Sequence, residues 1–218
     1  MKRHFFIVTA SCLIALVSNG RLPAEAPSTQ PANAAAQTAW VSGKIVAEGD
    51  VPLSEMVVYL EPADPSMTVP VVKGSVKISQ RGAKFSPALT IVSVGQTVEF
   101  LNDEDRMLEH NVFSNAPSKK FDLGMYPPGQ SRSVTFDKPG PVMLYCSIHR
   151  YMDGVIFVSP TPYFSRVNPD STYKIEGIPP GKWLIKTWQR RRRFKEATAP
   201  LNTEPGSSTS INLELHKR

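Results

Sequence analysis

Three side chains in the stretch LYCSIHRYMDGVIFV have types and spacing suited to a soft metal: Cys146, His149 and Met152, one every third residue. On a helix they would share a face, but the flanks read as strand. Val142, Leu144 and Cys146 alternate with Met143 and Tyr145, the period of a strand with one buried face, and the following GVIFV is again β-branched and aromatic. The three therefore sit on a tight loop between two strands, where all can turn toward one point. Thiolate is a soft ligand, imidazole is borderline, and thioether sulfur is a weak donor that oxygen-preferring metals ignore; two imidazoles and a thiolate with a distant thioether make the ligand set of a type 1 copper site. The loop supplies one imidazole, so another must come from elsewhere. Of four histidines in the chain, His4 lies in an N-terminal apolar leader and His216 at the C-terminus, which leaves His110, in EHNVFS, at the mouth of a predicted strand.

Each of these residues has a plainer reading. A buried cysteine is commonly inert core, a lone histidine is usually structural, and Met152 alone would fill a gap. The joint arrangement, with a spare histidine upstream and strands on both sides, favours the metal. Zinc also suits Cys and His, but its structural sites rarely use Met. A binuclear copper centre would need a second thiolate outside the leader, and the chain has none. Met107 and Met125 lack the loop context and read as packing residues; Asp103, Glu104 and Asp105 read as a turn.

The elements that must position these ligands are strands. Across 218 residues no long amphipathic helical period appears, while short apolar runs recur between PPGQ, DKPG, NPDS and IPPGK, the texture of an all-β chain. Residues 1–20 read as a secretory signal peptide, with Lys2 and Arg3 before an apolar run too short to span a bilayer, so a periplasmic or secreted location is expected. Its removal takes away Cys12, leaving one thiol in an oxidising compartment, a liability unless a metal occupies it. The formal charge of +6 falls to +4 once the two basic residues of the leader are gone, too mild to define a partner. Residues 21–38 have the Ala/Pro-rich composition of a linker. Strands come densely over residues 76–160. Residues 39–75 and 161–215 look like complementary parts of one small sandwich, since neither alone supplies the roughly seven strands a sandwich needs. A discontinuous domain interrupted by the metal-binding one is therefore expected, and residues 76–160 alone should fold and bind the metal.

The segment FSPALTIVSVGQTVEFLNDEDRMLEHNVFS, followed by FDLGMYPPGQSRSVTFDKPGPVMLYCSIHRYM, resembles the cupredoxins, and its Cys-x-x-His-x-x-Met loop resembles that of amicyanin and other plastocyanin-like proteins. The resemblance covers residues 76–160. It implies a Greek-key cupredoxin β-sandwich with one type 1 copper held by His110, Cys146, His149 and Met152, and Asn111 tying the two ligand loops together. Ile148 and Arg150 depart from relatives that carry prolines inside the loop. The outer segments, through IPPGKWLIKTW, resemble the smaller Ig-like or transthyretin-like sandwiches also described as carboxypeptidase-regulatory-like.

By that resemblance the protein is an exported blue-copper electron carrier rather than an enzyme, with redox proteins as partners and the edge of His149 as electron port. Two alternatives stay open: a copper chaperone or store with the same ligands, and a cell-envelope interaction module using the fold as scaffold. Residues 181–195 carry seven basic side chains and no acid, among them Arg190, Arg191, Arg192 and Arg193. Export and the lack of a recognition motif argue against nucleic acid. A solvated strand edge is the plain reading, and steering of an acidic partner or anionic surface is the functional one.

Overall fold

In the computed structural model, residues 37–49, 53 and 55–218 are described; the predicted leader and all but two residues of the predicted linker lie outside them. Among the described residues there are seventeen strands and no helix. The chain opens with β1 (Ala39–Ala47) and β2 (Met56–Pro62). Its middle holds β3 (Ser75–Gln80), β4 (Phe85–Ser86), β5 (Leu89–Ser93), β6 (Thr97–Asn102), β7 (Phe113–Ala116), β8 (Lys119–Asp122), β9 (Ser131–Thr135), β10 (Gly140–Tyr145) and β11 (Asp153–Ser159). It closes with β12 (Phe164–Arg166), β13 (Thr172–Ile178), β14 (Gly181–Gln189), β15 (Thr198–Thr203), β16 (Ser208–Ser210) and β17 (Leu213–Leu215).

The middle strands make two sheets, β5-β11-β10-β7-β8 and β4-β3-β6-β9. The flanking strands make two more, β12-β2-β14-β15 and β13-β1-β16, with β17 also paired to β1. The first two strands thus pair with strands more than a hundred residues away, skipping the whole middle. Alternation explains the middle core: Val98, Phe100 and Asn102 of β6 and Val142 and Leu144 of β10 point inward, while their neighbours are more exposed. A second core gathers Val41, Leu60, Trp183 and Ile185 between the two outer sheets.

Two strands break the alternation, for one reason. In β11 every residue after Asp153 is buried, and in β2 the first five are. Ile156 and Val158 of β11 face the middle core, and Met56, Val58 and Leu60 of β2 face the outer one. The opposite faces meet: Val57, Tyr59, Leu89, Val155, Phe157 and Trp188 form a third apolar cluster. Phe157 lies against Trp188 with ring centroids 4.8 Å apart and planes 27° from parallel, and Tyr59 approaches Phe157 at 5.0 Å. Strands covered on both faces read as continuous apolar runs, and each such side chain contributes about 1.5–3 kcal/mol on burial. Through this seam the two sandwiches form one unit.

Candidate metal centre

The hairpin of β10 and β11 pairs from Gly140 opposite Val158 to Tyr145 opposite Asp153, so residues 146–152 close its end as a loop. Cys146 continues the inward parity of Val142 and Leu144 and is buried. The loop then turns tightly, with the Met152 amide donating to the His149 carbonyl at 2.9 Å. Met152 is buried in the apolar cluster that also contains Cys146. Two residues on, Gly154 leaves room that a side chain would take up, since a Cβ there would stand 3.2 Å from Phe85.

His110 arrives from the segment between β6 and β7. Its backbone exchanges two hydrogen bonds with Tyr126, at 3.2 and 2.9 Å, and its ring is fully buried. Asn102, buried at the end of β6, organises this segment: its Nδ2 donates to the carbonyls of Leu108 and Tyr126 at 2.9 and 3.0 Å. The structure brings the two imidazoles and the thiol together. His110 Nδ1 and His149 Nδ1 are 3.1 Å apart, and the Cys146 Sγ is 3.9 Å from the first and 3.6 Å from the second. All three ligand atoms lie within 4.8 Å of one another. Those edges suit a single ion with bonds of about 2.0–2.1 Å to nitrogen and about 2.3 Å to sulfur. The donor set fits a thiophilic metal.

Asn111 joins the two loops. Its Oδ1 accepts from the Ser147 amide at 2.7 Å and the Ser147 hydroxyl at 2.9 Å, while its Nδ2 donates to Asp122 at 3.2 Å. The residue beside one imidazole thus fixes the residue beside the thiol.

Glu104 departs from the expected acidic turn. Asp103 and Asp105 are exposed, but the Glu104 side chain is 2% exposed and turned inward, accepting from His110 Nε2 at 2.9 Å and from the Ala83 amide at 3.0 Å. Burial by itself would raise its pKa. The Ala83 amide, the His110 ring and the Gly82 amide outweigh that and bring it down to about 2, so it is a carboxylate at neutral pH. A carboxylate accepting at Nε2 holds the proton there and leaves Nδ1 with a free lone pair. No local pattern marks this role, because the Ala83 partner is 21 residues away.

His149 differs from His110 in reaching the surface. Burial, then the electrostatic influence of the adjacent His110 ring, pushes its pKa below the usual imidazole value, with Glu104 acting the other way and Arg106 adding to the depression. An open cleft of about 400 Å³ runs beside it, lined by Ala83, Ile148, His149, Arg150, Tyr151 and Met152. The packing reading of Met107 and Met125 does not hold: they are 89% and 41% exposed. Met107 sits on a bend, and the Tyr126 ring takes the inward place beside Met125. The basic run divides as well. Arg190 is engaged by Glu55 and Asp153, while Arg191, Arg192 and Arg193 are exposed.

Two sandwiches with a His-Cys-His cluster at one loop end, buried at His110 and Cys146 and partly open at His149, make an all-β protein with a candidate metal centre at one pole. Residues 72–159 match the family of copper binding proteins described as the plastocyanin/azurin family. Solved structures that overlay on part of the chain include a purple cupredoxin from Nitrosopumilus maritimus, at 26% identity over 38% of this chain and 98% of that one, with a TM-score of 0.35. A reduced proline-to-phenylalanine variant of amicyanin aligns at 24% identity over 46% and 99%, with a TM-score of 0.35. A Cu(I) methionine-to-glutamine variant of amicyanin aligns at 22% identity over 42% and 97%, with a TM-score of 0.36.

Proposed function

We propose that this protein binds one copper ion through His110, Cys146 and His149, with Met152 as a weak fourth donor, and carries single electrons between redox proteins without bond chemistry. The observation that carries this reading is the convergence of a buried thiol and two imidazole Nδ1 atoms within 4.8 Å, inside a segment matching a copper-binding family. Bound there, copper would supply a one-electron Cu(II)/Cu(I) couple. The chain's own groups do the rest. Glu104 keeps the His110 Nδ1 lone pair available, and Asn111 holds the His110 and Cys146 loops in register. Val112, Leu144 and Phe100, all fully buried, belong to the apolar cluster that holds Cys146 and exclude water. His149, the least buried of the three, gives an electron its shortest route to the surface.

Purified protein loaded with copper should hold one ion per chain, show an intense thiolate-to-copper band, and titrate reversibly by one electron. Colourless protein that releases Cu(I) readily to a chelator would replace the carrier reading with a chaperone or store. Absence of copper binding would leave the scaffold reading. A leader that directs export belongs to the same proposal, and the N-terminus of the protein recovered from its native cell envelope tests it.

A further inference from the structure

The three strands that carry the ligand segments meet on one rung. Phe113 opens β7 just after His110 and Asn111, Tyr145 ends β10 just before Cys146, and Asp153 opens β11 just after Met152. Phe113 pairs with Tyr145, and Tyr145 with Asp153. The Phe113 and Tyr145 rings also pack at 5.6 Å. Any movement of this rung moves the places where the ligand loops are attached.

The Asp153 end of the rung is held from outside. Arg190, just beyond the end of β14, places its Nη2 on the Asp153 carboxylate and its Nη1 on Glu55 at 2.8 Å. Its side chain is 14% exposed. The backbone repeats the link, since the Arg190 amide donates to the Glu55 carbonyl at 3.3 Å. Glu55 has φ of 60°, a conformation uncommon for a residue with a side chain. Strained positions persist where the surroundings over-determine them, and here the surroundings are the Arg190 contacts. Beneath this bridge lies the apolar seam of Trp188, Phe157 and Tyr59, and Arg166 donates across it to the Leu89 carbonyl.

We propose that the outer sandwich is a brace for the metal pole, and that Arg190 is its positioning residue, fixing Asp153 and thereby the Met152 end of the ligand loop. A planar guanidinium satisfies two carboxylates at once, which a lysine cannot match in geometry. The flanking sandwich thus restrains a loop that the hairpin alone holds only at its two ends. This inference rests on the copper reading for its spectroscopic consequence, but the restraint itself exists without metal.

The test uses the full chain with Arg190→Gln, Asp153→Asn and the double variant. In metal-free protein, hydrogen exchange over residues 144–154 should accelerate about tenfold or more in each variant, with β6 and β9 unchanged. The double variant should be no worse than the more affected single one, since both remove the same contact. With copper added, the same variants should shift the thiolate-to-copper band and the reduction potential. Asp153→Asn leaves the seam intact and keeps the test valid if Arg190→Gln fails to fold. Faster exchange spread evenly over both sandwiches would make Arg190 a merely structural tie and overturn the proposal, as would unchanged exchange in both single variants. Failure of the wild type to bind copper would sink the copper reading, while the metal-free exchange would still decide the brace.

Discussion

The buried Nε2–H of His110 donates to the carboxylate of Glu104 at 2.9 Å, so one ring nitrogen is committed to a fixed negative charge and the other is turned toward Cys146 and His149. Glu104→Ala should weaken copper binding about 10–100-fold, the usual cost of losing a group that orients a metal-bound histidine. It also strips the Ala83 and Gly82 amides of their acceptor, with a stability loss of about 1–3 kcal/mol. Glu104→Gln still offers an oxygen to Nε2 but removes the charge, so copper should be retained and the reduction potential should rise. Equal copper affinity in wild type and Glu104→Ala, measured by competition with a chelator, would remove Glu104 from the site.

Cys146 and Met152 should separate cleanly. Cys146→Ser is expected to abolish the visible band of the Cu(II) form while the β signature in circular dichroism persists. Met152→Gln should keep both copper and colour and move only the potential. Parallel loss of copper in the two variants would contradict their different assigned weights.

Residues 76–160 expressed alone retain His110, Cys146, His149 and Met152, but they uncover Leu89, Val155 and Phe157. The fragment should bind copper and also self-associate, as an exposed apolar sheet face does. In the full chain, Trp188→Ala should cost about 3–5 kcal/mol in urea unfolding while copper is still bound. A monodisperse fragment in sedimentation would show that the seam contributes little.

Alkaline pH should destabilise the outer sandwich, in part through Tyr173. Burial raises its pKa to about 12, and its hydroxyl donates to the Ile211 carbonyl at 2.6 Å. Because the folded value lies above the unfolded one, near 10, the neutral phenol's contribution is complete below pH 10 and is lost as pH rises toward 12. The loss is at most on the order of 2–3 kcal/mol. Tyr173→Phe should be less stable at pH 7 yet show a flatter decline above pH 10; an unchanged slope in denaturant titrations would assign the alkaline limb elsewhere.

Arg191, Arg192 and Arg193 remain as the exposed part of the basic run, and steering of an acidic redox partner is proposed for them. Replacing the three with Gln should slow electron transfer at low ionic strength and flatten its salt dependence, because long-range charge acts on encounter rate and is screened within about 10 Å at 0.1 M salt. Identical rates with the physiological partner at low salt would return the run to a solvated edge.

What the sequence determined by itself was local or scarce. The alternation of Val142, Leu144 and Cys146 marks a strand because side-chain parity is set by backbone geometry within a few residues. The placement of Cys146, His149 and Met152 on the following turn comes from the same reasoning, and His110 stood out because the chain has so few histidines. The tertiary structure decided what depends on partners far along the chain. Glu104 looks like its acidic neighbours until Gly82 and Ala83 fold over it, and Arg190 looks like the three arginines after it until Glu55, 135 residues away, and Asp153, 37 away, converge on its guanidinium. The apolar runs of β2 and β11 carry no mark of which face meets which core, because a strand buried on both sides loses the polar positions that would reveal its orientation.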